Sequence, residues 1–245
     1  MVFLCSMDTK EYFDIFKDEA EGYERLVARE DYEGHILAAL ERICDLNGRV
    51  VLDLGAGTGR LMKILQPYAA AVYGFDSSPA MLAVAQRELR RAGANNWGLA
   101  VADHWDLPVR AASCDLVVSG WSLCYLALDQ EPGWEAGLRR VFRRFSEMLR
   151  PGGVIVILET MGTGHAEPNP PSFMRDYFSF LEQVGMQSTW IRTDYRFESL
   201  AEAVDLTRFF FGEELAERVE RDGSRIVPEC TGIWWTTDVR GLLLE

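Results

Sequence analysis

Short runs of consecutive apolar residues alternate along the chain with longer stretches whose apolar positions recur every three or four residues. The runs are RVVLDLG from Arg49, AAVYGFD over Ala70–Asp76, NWGLAVAD over Asn96–Asp103, CDLVVSGW over Cys114–Trp121 and GVIVILET over Gly153–Thr160. Their near-continuous Val, Ile and Leu content predicts strands covered on both faces, as in a parallel sheet. Between them the helical spacing predicts helices over Gly59–Leu65, stopped by Pro67, then Ser78–Ala92 and Trp134–Leu149. The second carries a serine cap, a proline at the first helical position and a glycine after its end. The RPGG of Arg150–Gly153 reads as a turn feeding the fifth strand.

Beyond Thr160 the pattern changes. A Gly/Pro loop, MGTGHAEPNPP, leads to a predicted helix over Ser172–Val184, a polar-alternating strand over Ser188–Phe197, two helical stretches within Ser199–Asp222 and a last strand over Arg225–Thr237. The final strand pair suggests an antiparallel edge added to the parallel sheet. The segment up to Asp45 reads as two helices packed outside it. The expected fold is α/β: a doubly wound, mostly parallel seven-stranded sheet with an antiparallel C-terminal edge and helices on both faces. Its 245 residues suit one domain better than two.

Composition narrows the classes. At 48% hydrophobic and 26% charged the chain reads as globular, and no apolar stretch approaches the ~18 to 20 residues of a membrane span. The N-terminus lacks the basic, apolar and small-residue regions of a signal peptide, so a cytoplasmic protein is expected. Thirty-eight acids against twenty-five bases give a net charge of -13, which argues against nucleic acid as a partner. The basic run LRRVFRRF over Leu138–Phe145 places its arginines between apolar residues at helical spacing, as on a solvated helix face. Cys5, Cys44, Cys114, Cys124 and Cys230 are scattered, and the three histidines are isolated, so neither a metal site nor a disulfide framework is expected.

The chemistry concentrates in VVLDLGAGTGRL, Val50 to Leu61. In a doubly wound sheet the turn after the first strand lies where ligands bind. Dinucleotide binding asks for G-x-G-x-x-G, whereas here Gly55, Gly57 and Gly59 bring the third glycine one residue early. Asp53, two residues before the first glycine, would repel a pyrophosphate and favour an ammonium group. Asp76, at the end of the second strand, falls near the ~20-residue spacing of an acid that holds ribose hydroxyls. The turn therefore asks for a ribose and a cation without a pyrophosphate. A nicotinamide-dependent oxidoreductase, the competing enzyme class, is disfavoured on both counts.

Together VVLDLGAGTGRL, GFDSSPAMLAVAQ, ADHWDLPV and EMLRPGGVIVILE resemble, in order, the motif set of the class I S-adenosylmethionine-dependent methyltransferases with their Rossmann-like fold, over about Arg49 to Thr160. The resemblance implies an enzyme that moves a methyl group from S-adenosylmethionine to a small-molecule substrate, leaving S-adenosylhomocysteine. It implies a helical lid over residues 1–45, a cofactor-binding core over 46–160 and a substrate-side region over 161–245. In the core, Gly55, Ala56 and Gly57 would pack against the methionine part of the cofactor. Asp53 would support its ammonium side, and Asp76 would hold both ribose hydroxyls. Ser77 and Met81 would border the adenosine, with Met81 equally readable as ordinary helix core. Asp103 and the backbone of His104 match the adenine-reading pair. Ser119 to Trp121 would lie beside the reactive methyl, with Trp121 either core or cofactor wall, and Tyr23 matches a lid residue. His165, in the loop after the fifth strand, is the candidate catalytic proton acceptor, with Glu159 and Tyr177 as runners-up. The aromatic-rich C-terminal third supplies core and, in part, a pocket for an apolar substrate. A non-catalytic cofactor-binding protein remains the alternative from another class. The expected assembly is a monomer or homodimer.

Overall fold

The computed structural model describes residues 9–128 and 133–238. Met1 to Asp8, with Cys5 and most of the segment read for a signal peptide, lie outside the described residues. Among the described residues three helices precede the sheet: α1 (Thr9–Asp18), α2 (Ala20–Val27) and α3 (His35–Ile43). The expectation of two is corrected to three, because α1 and α2 are separated only by Glu19, which the periodicity runs across.

Then follow β1 (Val50–Leu54), α4 (Arg60–Leu65), β2 (Ala71–Asp76), α5 (Pro79–Arg91), β3 (Trp97–Val101), β4 (Cys114–Gly120), the short α6 (Tyr125–Leu128), α7 (Trp134–Met148) and β5 (Leu149–Thr163). The C-terminal third holds α8 (Arg175–Gln183), β6 (Gln187–Arg192), β7 (Tyr195–Arg196), α9 (Leu200–Phe211), α10 (Glu213–Asp222), β8 (Ile226–Val227) and β9 (Glu229–Thr236). The sheet order is β3-β2-β1-β4-β5-β9-β6, parallel from β3 through β5. Strand β9 pairs antiparallel with both β5 and β6, so the reversed strand lies one place inside the edge that β6 forms.

Two expected elements divide. The last strand breaks at Pro228, which has no N–H to continue a ladder. The strand before it breaks at Thr193 and Asp194, and the severed ends β7 and β8 pair as a separate ribbon. The RPGG turn is absorbed into β5 as an irregularity: Cys114 pairs with Leu149 but Leu116 with Val154, so Arg150 to Gly153 loop out of register.

Burial follows the two-residue period of β5. Val154, Val156 and Leu158 pack with Ile36, Leu40, Leu61 and Met62 on one face. Ile155 and Ile157 pack with Phe142, Phe145, Phe178 and Leu181 on the other. A third cluster joins Leu26 of α2 to Tyr195, Phe197, Leu206, Leu215 and Val219, binding α2, α9, α10 and the ribbon together. No helix among the described residues is long and apolar enough to cross a membrane.

Candidate active site

The glycine turn is built by backbone geometry. Gly55, Gly57 and Gly59 have φ of 77°, 53° and 84°, a region costly for residues with a Cβ. The N–H groups of Gly55 and Ala56 both donate to the Phe75 carbonyl, at 2.8 and 2.9 Å, fastening the turn to the end of β2. There Asp76 accepts from Gly57 N–H and Ser78 N–H, each at 2.8 Å. Ser78 caps α5 by accepting from Met81 N–H, and its hydroxyl donates to the Phe16 carbonyl at 2.7 Å, tying α1 down over the turn. Met81 and Tyr23 lie over Gly57, at 3.5 and 3.9 Å from where a Cβ would project. Burial pushes the Tyr23 hydroxyl up to about 12.

Asp53 is 1% exposed, and neither carboxylate oxygen makes a well-formed hydrogen bond, the Met62 N–H being the one backbone donor that acts on it. Burial first, and the charge of Asp76 second, push it up to about 7. Such a group normally has a partner. An ammonium or another donor at this position would satisfy it, so the residues present fit the amino-acid end of the expected cofactor.

The remaining sequence candidates divide. His104 turns its ring inward, with Nε2 2.9 Å from Ser122 Oγ, and burial lowers its pKa to about 4, so the imidazole is neutral. Ser122 and His104 stand against Gly55, where a Cβ would overlap Ser122 Oγ. Trp121 adopts φ 52°, donates its N–H to Leu158 O at 2.7 Å, and carries the Arg60 guanidinium 3.4 Å above its ring. Ser77 is exposed. Asp103 is also exposed, its Oδ1 accepting from Trp105 and Asp106 N–H within its own turn. The Ser119 hydroxyl is buried and donates to Leu54 O at 2.8 Å; it pins β4 to β1 and lines neither cavity.

Two cavities meet at this end of the sheet. A small one, about 20 Å³, lies against Asp53 and Gly55 to Thr58. A large one, about 360 Å³, opens beyond the ends of β4 and β5 toward α9 and α10. Tyr23, Val27, Arg60 and Trp121 line both. His165 is half-buried in the wall of the large cavity, where Asn169 Nδ2 meets its Nε2 at 3.1 Å. Burial and then the neighbouring Arg218 lower its pKa.

The large cavity also holds Glu159, which with Tyr177 was a runner-up from the sequence, and it brings in Glu30 and Glu229, which local spacing did not single out. Glu30 is ion-paired to Arg60 and accepts from Tyr195 Oη at 3.0 Å. Glu229 accepts from Thr160 Oγ1 at 2.7 Å. Glu159 accepts from Cys124 N–H and Tyr177 Oη, both at 3.1 Å. Each of the three glutamates keeps one buried oxygen without a partner. Burial pushes Glu159 up to about 8, and burial with the nearby Glu30 charge raises Glu229. The available signal for Glu159 and Glu229 was an acid inside an otherwise apolar strand. Glu30 and Arg60 gave none, since the two pair across 30 positions.

Residues 52–157 match the family model for a methyltransferase domain. An uncharacterized methyltransferase of Geobacillus kaustophilus is 30% identical over 159 residues, 62% of this chain and 67% of that protein. A demethylmenaquinone methyltransferase of Lactococcus lactis is 27% identical over 178 residues, 70% of this chain and 65% of that one. In fold, the crystal structure of an S-adenosylmethionine-dependent methyltransferase from Aquifex aeolicus aligns with a TM-score of 0.53 at 14% identity, covering 94% of this chain and 98% of that one. The chain belongs to the class I S-adenosylmethionine-dependent methyltransferases, and it is a methyltransferase enzyme.

Proposed function

We propose that this chain transfers a methyl group from S-adenosylmethionine to a small-molecule acceptor held in the large cavity. The observation that carries the reading is the shared wall. A slot ending on the unpartnered Asp53 carboxyl and a chamber of about 360 Å³ abut across Tyr23, Val27, Arg60 and Trp121. A chamber of that size is in the range of small-molecule sites, and the name of the Lactococcus lactis relative agrees with an acceptor of that class.

In this reading Asp53 receives the ammonium end of the donor and Asp76 the ribose hydroxyls, while Gly55, Ala56 and Gly57 give the backbone room. Met81, Tyr23 and the neutral His104 ring border the nucleoside. Asp103, Ser77 and the Ser119 hydroxyl stand outside this contact set. When bound, the donor supplies an electrophilic methyl on a sulfonium. The protein's own part is to align the acceptor and keep water away. Aligned reactants gain up to about 7 to 11 kcal/mol over free encounter, and the Trp121 and Tyr23 rings line the boundary where water must be excluded. His165 is the candidate proton acceptor from the sequence, neutral near pH 7 but already engaged by Asn169.

Calorimetric titration with S-adenosylmethionine, S-adenosylhomocysteine and NAD tests this. The sulfonium donor and its product should bind and NAD should not, with Asp76→Ala weakening the donor at least tenfold. Binding of NAD alone would overturn it. Binding without label transfer to any member of a metabolite mixture, from methyl-labelled donor, would return the non-catalytic alternative.

A further inference from the structure

We infer that the methyl acceptor is an amine with an apolar or aromatic body, taken up as an ammonium ion by the buried carboxyl of Glu159 within an acid-lined chamber. The inference rests on the proposed function and specifies its substrate class.

Three acids enter the chamber wall while almost wholly buried: Glu159 is 0% exposed, Glu229 1% and Glu30 9%. Each turns one oxygen to no partner. Against them stands one buried cation, Arg60, already committed to Glu30 and to the Trp121 ring. Arg218 and Arg221, also in the wall, belong to α10 and are partly or wholly exposed, beside the exposed Glu214. The interior is therefore acidic and the mixed charges lie at the rim. Once Glu159 and Glu229 ionise, near and above pH 8, an acceptor bearing a carboxylate or phosphate meets like charge in a low-dielectric space, which is strongly disfavoured. An ammonium meets the reverse, and the aromatic walls, Tyr12, Tyr23, Tyr125 and Phe210 among them, offer ring faces that attract a cation.

Of the chamber acids Glu30 is already paired with the shared-wall Arg60, whereas Glu159 approaches the junction of slot and chamber by strand register with no cation on it. Gly120 pairs with Leu158, and the Trp121 N–H donates to the Leu158 carbonyl, so the residue after Leu158 lies beside the shared wall. Its Oε1 is fixed by Cys124 N–H and Tyr177 Oη, which orients the carboxyl and leaves Oε2 for a guest. Burial raises the Glu159 carboxyl to about 8, so it accepts a proton in its ionised form, near and above pH 8. The ammonium proton passes to Oε2, the N–H bond pair stays on nitrogen as a lone pair, and the carboxylate becomes the neutral acid its surroundings favour. The groups facing Glu159 are Cys124, Tyr125 and Tyr177, all raised well above their ordinary values and so uncharged. None competes for that proton.

The test pairs compounds of equal body and different head: phenethylamine, 3-phenylpropionate and 2-phenylethanol, then tryptamine, indole-3-propionate and tryptophol. Each is titrated into the full chain saturated with S-adenosylhomocysteine, and each is offered methyl-labelled donor. Within each set the amine should bind at least tenfold more tightly than the acid or alcohol and be the one labelled. Glu159→Gln should weaken amine binding at least tenfold with S-adenosylhomocysteine affinity unchanged. If Glu159→Gln does not fold, Glu229→Gln, which removes the second buried acid, should reduce the amine preference severalfold. Preference for acid or alcohol, no amine preference in either set, or amine binding indifferent to these variants would overturn the inference. Failure to bind S-adenosylhomocysteine would instead strike the proposed function itself.

Discussion

Replacing Asp53 with asparagine keeps the shape of the side chain and removes its charge, which separates what the carboxyl does for binding from what it costs the fold. The carboxyl sits at about 7 against an ordinary 3.8, and each pH unit of that gap is worth about 1.4 kcal/mol. Between pH 4 and 7 the folded protein keeps a proton that the unfolded chain releases. The wild-type protein is therefore favoured below pH 4, loses stability as pH rises to 7, and has lost up to about 4 kcal/mol by pH 8. Local relaxation lowers that ceiling, and the unmet donors of the new amide offset part of the gain, at about 1 to 3 kcal/mol for a buried group. Asp53→Asn should then be more stable than wild type by about 1 to 2 kcal/mol at pH 8, with most of the difference gone by pH 5. Urea denaturation of both proteins at the two pH values measures it, and calorimetry should show at least a tenfold loss of S-adenosylmethionine affinity. A variant less stable than wild type at pH 8, or a difference that does not change with pH, would refute the reasoning.

Two further outcomes are expected. Arg60→Met removes the cation paired with Glu30 and stacked over Trp121, leaving a buried acid with only the Tyr195 hydroxyl, so it should lower stability by about 3 to 5 kcal/mol at neutral pH, read from the denaturation midpoint. Arg60→Lys should recover only part of the loss, since an ammonium does not reproduce the planar stack. His165→Ala should lower turnover with donor affinity intact if His165 moves a proton; unchanged turnover would remove it from the mechanism.

The residues that announced themselves in the sequence are those whose work is local. Asp53, one residue before the end of β1, and Asp76, the last of β2, flank a glycine turn, and the register of β1 against β2 places the two strand ends side by side. The large cavity was less legible, because its charged residues come from α4, β5, β9 and the segment after α2, and burial of a charge depends on what folds over it. Glu229 lies in the strand right after Pro228, where the break that frees β8 also sets the first residue of β9. Ser119 shows the converse: its place at the end of β4 suggested contact with a ligand, whereas its hydroxyl spends its one proton on the carbonyl of Leu54.

Helix α2 is only eight residues long, yet its Tyr23 and the last residue, Val27, face both cavities, and Leu26 anchors it to α9 and α10. Two guests that press on one helix share the cost of ordering it, so the first to arrive lowers that cost for the second. The linkage must run equally in both directions, commonly by about 1 to 3 kcal/mol. In the proposed reading, donor and acceptor affinities measured singly should therefore differ from those in the ternary complex, with α2 part of the wall that both guests press on.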